Sequence, residues 1–326
     1  MRSNTKITLD KDTIKKLSNK AFGPKQISDT QELTYGWFNT AYKITFNDQT
    51  TVVLKVGPPQ HAPIMCYEKN MMQAEINCTE LVSKRLNIPS PKVLFSDLTK
   101  QDIDYPYFFM DFMPGIIWNT IRDDLSEDQN NQLLFQLGEI TAKINSIQNA
   151  HFGYFDLSEK HTNWFDAFSA MSTQLFNDAK TYNIKLPLTQ SEYTTLLNDY
   201  QSIFAEVTQA QLVHWDLSPS NIFIDEQDHC HCHILGAIDF ERAIWGDPLM
   251  ESILFDKNNI EAYSKGYQQN LLTTDNQKSR RLFYNLYLCL IIVIEDGPRD
   301  YDDKSAVIWA NDELVKIADQ LNRIKK

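Results

Sequence analysis

Hydrophobic and polar positions divide the chain into two parts with different periods. From Glu32 to Phe46 (ELTYGWFNTAYKITF) apolar residues alternate around one turn, and Thr50–Val56 (TTVVLKV) is a β-branched run. Lys92–Asp97 (KVLFSD) and Tyr107–Phe112 (YFFMDF) are of the same kind. A period of two predicts strands. One prominent helix is expected among them, over Tyr67–Leu86, stopped by Pro89 and Pro91, because a residue before proline avoids helical backbone. A short amphipathic lead-in helix is expected over Asp10–Lys20. After the Pro114–Gly115 turn the spacing changes to three and four. Leu133, Leu134, Leu137, Ile140, Ile144 and Ile147 fall on one face of a helix that Ser126 can cap. Further helices are predicted near Asn163–Lys180, Gln190–Ala210, Gln277–Ile294 and Lys304–Lys326. The pattern therefore predicts an α+β chain: a small β-rich lobe over residues 1–113, a large mainly helical lobe over 114–326, and a hinge at 110–115.

At 326 residues the chain exceeds one typical core, which agrees with two lobes. It carries 31 basic and 43 acidic residues, net charge -12. That balance repels a nucleic-acid backbone and is compatible with a cationic small substrate. Met1–Lys20 has no apolar leader. The longest apolar run, Leu286–Ile294, is too short to cross a bilayer and reads as buried helix. The five cysteines, an odd number without a secretory leader, read as reduced thiols. A cytoplasmic protein is expected, with no nucleic acid, no membrane and no protein partner implied.

One stretch interrupts the helical pattern. Leu212–Asp225 (LVHWDLSPSNIFID) sets His214, Asp216 and Asn221 in the order His-x-Asp-x-x-x-x-Asn, and Asp239 follows the apolar strand Ile234–Ile238. Phosphoryl transfer needs one carboxylate to meet an attacking hydroxyl, and an amide with a second carboxylate to hold magnesium. Asp216 suits the first role and Asn221 with Asp239 the second, while His214 braces the loop. Lys55 stands inside an apolar strand, where an unpaired ammonium is costly to bury. Nucleotide phosphates provide an answer, with Glu75 on the next helix orienting the amine; Glu68 and Glu80 compete for that role. The turn Tyr35–Tyr42 lies just before the Lys55 strand. There its backbone N–H groups and the side chains of Asn39 and Thr40 would cover phosphates.

Three further segments are read structurally. On a strand, HCHCH (His229–His233) places its three His on one face and its two Cys on the other, which favours a surface hairpin over a zinc site. Asp247–Pro248 suits a helix start, with Asp247 supporting the catalytic loop rather than binding a ligand. EDGPRDYDD (Glu295–Asp303) concentrates carboxylates and reads first as a solvated loop between helices.

Together these pieces resemble the aminoglycoside phosphotransferase and choline kinase-like family, which shares the protein-kinase fold. The resemblance rests on HWDLSPSN (His214–Asn221), IDFE (Ile238–Glu241), GDP (Gly246–Pro248), and Glu75 followed by PSPKVL (Pro89–Leu94). It implies a bilobal fold binding ATP, with GTP as the alternative nucleotide, and Mg2+, the adenine meeting backbone groups near Asp111 and Met113. Trp215 stands where the family usually has Gly. Because protein kinases carry Arg there, the backbone is expected to tolerate a side chain, and Trp215 is expected to alter the acceptor wall. Glu241 reads as an acceptor-side residue or as a partner of Arg242. Asp300, Asp302 and Asp303 would form an acidic wall if the acceptor is polycationic. The implied acceptor is a hydroxyl of a small molecule, an aminoglycoside-type antibiotic or a cationic metabolite; the alternatives are a sugar or amino alcohol of choline, homoserine or fructosamine type. A silent nucleotide-binding pseudokinase is the rival of another class. A protein kinase is disfavoured, since no Ala-Pro-Glu segment follows Asp239.

Overall fold

The computed structural model describes residues 4–34, 36, 38–156, 159–225 and 232–325. Its first lobe holds a five-stranded antiparallel sheet in the order β1-β2-β3-β5-β4. The strands are β1 (Ile27–Leu33), β2 (Thr40–Phe46), β3 (Thr51–Val56), β4 (Val93–Asp97) and β5 (Tyr107–Asp111). Helix α1 (Lys11–Phe22) lays Ile14 and Leu17 on one face, against Tyr42, Ile44, Phe46, Val52, Leu54 and Val56. Helix α2 (Met71–Arg85) lays Met72 and Ile76 on the other, against Val53, Phe108 and Met110. Strand β3 is covered on both sides, which is why its sequence is almost continuously apolar. By alternation Lys55 shares the α2 face with Val53.

The chain leaves this sheet at Asp111 and joins a second one at β6 (Ile116–Ile117). The remaining strands are β7 (Gln148–Asn149), β8 (Gly153–Tyr154), β9 (Ala210–Val213), β10 (Ile222–Ile224), β11 (Ile234–Ala237) and β12 (Ile244–Gly246). They form two small sheets, β11-β10-β6 and β7-β9-β12-β8. Gly115 makes the crossing possible. Its φ is +97°, and a Cβ there would lie 2.4 Å from the Ile224 carbonyl oxygen.

The helices of the second lobe are α3 (Trp118–Ile121), α4 (Glu127–Asn145), α5 (Trp164–Thr181), α6 (Gln190–Asp199), α7 (Gln201–Phe204), α8 (Ile260–Tyr267), α9 (Asp275–Arg299) and α10 (Ser305–Ile324). Ser126 caps α4 in a reciprocal box with Gln129, as its sequence position suggests. Leu137, Ile144, Phe168, Tyr284, Tyr287 and Leu290 are fully buried in the core of this lobe. The apolar run Leu286–Ile294 lies within α9. Among the described residues no helix is long and apolar enough to cross a membrane.

The structure corrects several expected elements. The helix expected over Tyr67–Leu86 begins later, at Met71, after a 3-10 turn over Cys66–Asn70 in which the Glu68 side chain accepts from Met65 N. The helix expected over Gln190–Ala210 stops at Asp199, resumes for one turn, and gives way to β9, because Ala210–Val213 pairs with β7 and β12. Pro248–Phe255 forms two 3-10 turns rather than a helix, since Glu251 leaves helical geometry (φ -52°, ψ 132°) between them. Glu295–Arg299 is helix, not loop: Pro298 falls in the last turn of α9, so the intrahelical bond it cannot donate removes only one link near the end. Of HCHCH, His229–His231 lie outside the described residues, as do Tyr35 and Trp37 of the turn before β2.

Candidate active site

Lys55 sits at the middle of the cleft. Its Nζ lies 2.5 Å from Glu75 Oε1 and 2.8 Å from Asp239 Oδ1. Of the three candidate carboxylates it is therefore Glu75 that pairs with Lys55, while Glu68 pairs with Arg299 and Glu80 with Lys84. Burial opposes the ammonium, but Asp239 and Glu75 outweigh it and hold the Lys55 pKa above the ordinary lysine value.

The hairpin β10–β11 brings the polar residues to the same place. Ile222 pairs with Ala237, and Ile238 N donates to Asn221 O at 3.0 Å, so Asn221 and Asp239 emerge at one end of the ladder. Asp239 adopts left-handed backbone, φ +73°. Asn221 Nδ2 donates to Asp216 O at 2.9 Å, which leaves its amide oxygen as the remaining polar atom. Glu75, Asp239 and Glu241 each place a carboxylate oxygen within 4.8 Å of the others. Buried in the same region, Glu75 Oε2 and Asn39 Oδ1 have no hydrogen-bond partner among the described residues. An all-oxygen set with unpartnered buried acceptors fits a hard cation such as Mg2+.

The loop that carries Asp216 is held from two sides. His214 Nε2 lies 3.0 Å from Ile238 O, and Asp216 N donates to His214 Nδ1 at 3.2 Å. Burial pushes the imidazole down to about 4; a neutral ring protonated on Nε2 satisfies both contacts. His214 is thus a brace, as the sequence suggests. The second support was not read from the sequence. Glu251, fully buried, accepts from His214 N at 2.9 Å and Trp215 N at 3.0 Å. Asp247, expected to support the loop, instead accepts from Leu249 N, Arg280 Nε and Tyr284 OH, tying this turn to α9. Burial pushes the Asp216 carboxyl up to about 6, against the pull of Arg242.

Several expected contacts fall elsewhere. Thr40 pairs with Val56, and Ala41 pairs with Lys55. Thr40 therefore faces the side of the sheet away from Lys55, where its hydroxyl donates to Ile7 O and accepts from Ile7 N. It is not placed to cover phosphates. Asn39, one residue earlier, turns into the cleft and donates to Glu241 Oε2 at 2.8 Å. Glu241 thus belongs to the Asn39–Asp239 cluster, and Arg242 pairs with Glu295 at 2.7 Å. Trp215 has φ +67°, the region where Gly is unstrained and an L-residue costs roughly 1–2 kcal/mol. The backbone tolerates this Trp only because its ring is buried against Tyr67 and Tyr287, and at 3% exposure it is not an open wall.

Asp300, Asp302 and Asp303 follow the end of α9. The Asp300 side chain is 84% exposed and faces Lys304, Asp302 is exposed, and Asp303 accepts from Ser305 N. In the segment expected to be a hinge, Asp111 N donates to Lys92 O and its carboxylate accepts from Lys92 N. Met113 packs over Gly236, where a Cβ would lie 2.1 Å from its Cε.

The chain is similar to known proteins in sequence family and in fold. A family model described as the Phosphotransferase enzyme family matches residues 29–255. The sequence matches none of the curated proteins. Similar solved structures include APH(2")-IIa in a ternary complex with streptomycin and ATP, at 18% identity and TM-score 0.63, covering 95% of this chain and 97% of that one. A thermostable mutant of the aminoglycoside phosphotransferase APH(4)-Ia is similar at 19% identity and TM-score 0.64, covering 94% and 98%. Another mutant of it, in a ternary complex with AMP-PNP and hygromycin B, is similar at 18% identity and TM-score 0.65, with 94% and 98% covered. The family match spans most of the chain, which belongs to the Phosphotransferase enzyme family and has the kinase-like fold of the aminoglycoside phosphotransferases.

Proposed function

We propose that this protein transfers the γ-phosphoryl group of ATP to a hydroxyl of a small molecule. The observation that supports this most is the contact chain Glu75–Lys55–Asp239 at the end of the hairpin that also carries Asn221, beside the Asp216 loop. In this reading the adenine rests at the hinge, against backbone groups near Asp111 and Met113. Lys55 turns from Asp239 to the nucleotide phosphates while Glu75 keeps the amine aimed. Asn221 and Asp239 hold Mg2+, whose charge when bound offsets that of the phosphates. Asp216 accepts the proton of the acceptor hydroxyl as its oxygen bonds to phosphorus; the bond from phosphorus to the departing ADP oxygen breaks. Positioning and electrostatics carry the catalysis. GTP is the alternative nucleotide, because a hinge read through backbone groups leaves the base open. We place the reaction in the cytoplasm, where ATP is available.

The acceptor classes are an aminoglycoside-type antibiotic or cationic metabolite, and a sugar or amino alcohol. The first draws support from fold relatives solved with streptomycin or hygromycin B. The test is incubation with labelled ATP and a panel of aminoglycosides, other antibiotics, sugars, hydroxy acids and amino alcohols. A labelled acceptor is the expected result. Tight nucleotide binding with no labelled product from any acceptor would make the protein a pseudokinase.

A further inference from the structure

Helix α2 lies in the small lobe by sequence, yet its side chains are built into both lobes. Met72 and Ile76 pack on the five-stranded sheet. Met71, Cys78 and Val82 belong instead to the core that holds Leu137, Tyr284 and Leu290 of the large lobe. At 3.6 residues per turn, Glu75 falls on the same face as Met71, Cys78 and Val82. The seating of α2 on the large lobe therefore decides where the Glu75 carboxylate meets Lys55.

Apolar packing is non-directional and leaves the register of such a helix loosely defined. Directed contacts at its start define it. Glu68 stands in the 3-10 turn that runs into α2, and its side chain is 0% exposed. Its Oε1 accepts from Arg299, the last residue of α9, and its Oε2 from Met65 N at 2.7 Å. Arg299 is held in turn. Its side chain is 1% exposed, it donates to Tyr301 OH at 2.7 Å, and it faces Glu295 Oε2 at 3.3 Å. The guanidinium lies over the ring of Phe38, 5.3 Å from the centroid, so the turn before β2 backs it. Its Nε has no hydrogen-bond partner among the described residues. Cys66 N and Tyr67 OH tie the same turn to the large lobe, through Asp178 at 2.9 Å and Glu295 at 2.5 Å. Arg299 adds the one ion pair to Glu68 that crosses from the end of α9 to the start of α2.

We propose, resting on the phosphotransferase reading above, that Arg299 is a positioning residue for the nucleotide: through Glu68 it fixes the start of α2, so that Glu75 holds Lys55 in line for the phosphates. It acts through these residues and not on the reacting atoms. The end of α9 thus takes part in nucleotide binding from the other lobe.

The test is AMP-PNP affinity of the full chain with Mg2+, by titration calorimetry, for wild type, Arg299→Lys, Arg299→Gln and Glu68→Gln. Each substitution is repeated in a Glu75→Gln background, and thermal unfolding checks that every sample is folded. Arg299→Gln and Glu68→Gln are expected to weaken binding by roughly tenfold, and by no more than about threefold once Glu75 is replaced, because residues of one network are not additive. Arg299→Lys, which keeps the charge, should fall between Arg299→Gln and wild type. A merely structural role would give the same loss in both backgrounds to within about twofold, as independent sites do. That equality overturns the inference, as does wild-type affinity in folded Glu68→Gln, and both leave the kinase reading standing. Glu68→Gln keeps the side chain's shape and decides the question if the Arg299 variants do not fold. Wild-type protein that binds no AMP-PNP overturns the phosphotransferase reading and this inference with it.

Discussion

Asn39 donates to Glu241 across 2.8 Å, joining the turn before β2 to the turn that presents Asp239. The two residues belong to different lobes and both are buried. Leaving a buried Glu241 oxygen without its partner costs about 1–3 kcal/mol, and this contact joins the two lobes. Asn39→Ala should therefore weaken AMP-PNP binding by roughly tenfold, since 1.4 kcal/mol is one decade, with kcat little changed. Titration calorimetry checks it. Asn39→Asp should be worse, because two carboxylates would then face each other.

Removing Lys55 should be costly twice over. Lys55→Met leaves Glu75 and Asp239 without their common cation in a buried site. Breaking a buried pair this way costs on the order of 3–5 kcal/mol, to be read from urea unfolding. Transfer should fall at least in parallel with the loss of phosphate contact. Glu75→Gln, which keeps the shape, should lose activity with a smaller loss of stability.

Glu251 separates loop support from chemistry, as it touches backbone only. Glu251→Ala leaves the buried N–H groups of His214 and Trp215 without acceptors. Each unsatisfied donor costs about 1–3 kcal/mol, so the variant should lose both stability and kcat, while Glu251→Gln, with one oxygen left, should fall between it and wild type. Unfolding curves and kcat measured on the same samples would show the ordering.

The pH profile follows from Asp216. Burial raises its pKa from 3.8 to about 6, and the base must be ionised, so kcat should fall about tenfold per unit below pH 6 and level off above it. Arg242→Gln removes a positive neighbour and should move the inflection to higher pH. For stability the sign is opposite to that of a salt-bridged carboxylate. The unfolded chain gives up this proton more readily, so the contribution of Asp216 is most favourable below about pH 4 and is lost as pH rises to about 6. Asp216→Asn should then be more stable than wild type at neutral pH, by about 3 kcal/mol, as thermal unfolding at pH 4 and pH 8 would reveal.

Much of the site was legible because it depends on local pattern. Lys55 in an apolar strand and Glu75 on the following helix could be paired by order, and the Asn221–Asp239 spacing is that of a hairpin. Thr40 shows a signal that was present but unused: it shares the parity of Tyr42, Ile44 and Phe46, the residues that pack on α1, and so it had to face away from Lys55. The carboxylates of Glu295–Asp303 looked like one cluster, but helix continuation through Pro298 turns Glu295 inward and leaves Asp300 in solvent. Glu251 and the Arg299–Glu68 pair had no local signal, because their partners are distant in the chain. Trp215 carried a partial one. The Gly usual at that position marks left-handed backbone, but only packing against Tyr67 and Tyr287 explains how a Trp is kept there.

The central claim is that Asp216 deprotonates the acceptor while other residues hold the nucleotide. Single-turnover transfer from labelled ATP to an acceptor, measured for wild type and Asp216→Asn beside their AMP-PNP affinities, tests it most directly. The account expects affinity within about threefold and transfer reduced by roughly 10²–10⁴-fold, the usual contribution of a general base. Full transfer by Asp216→Asn would contradict it.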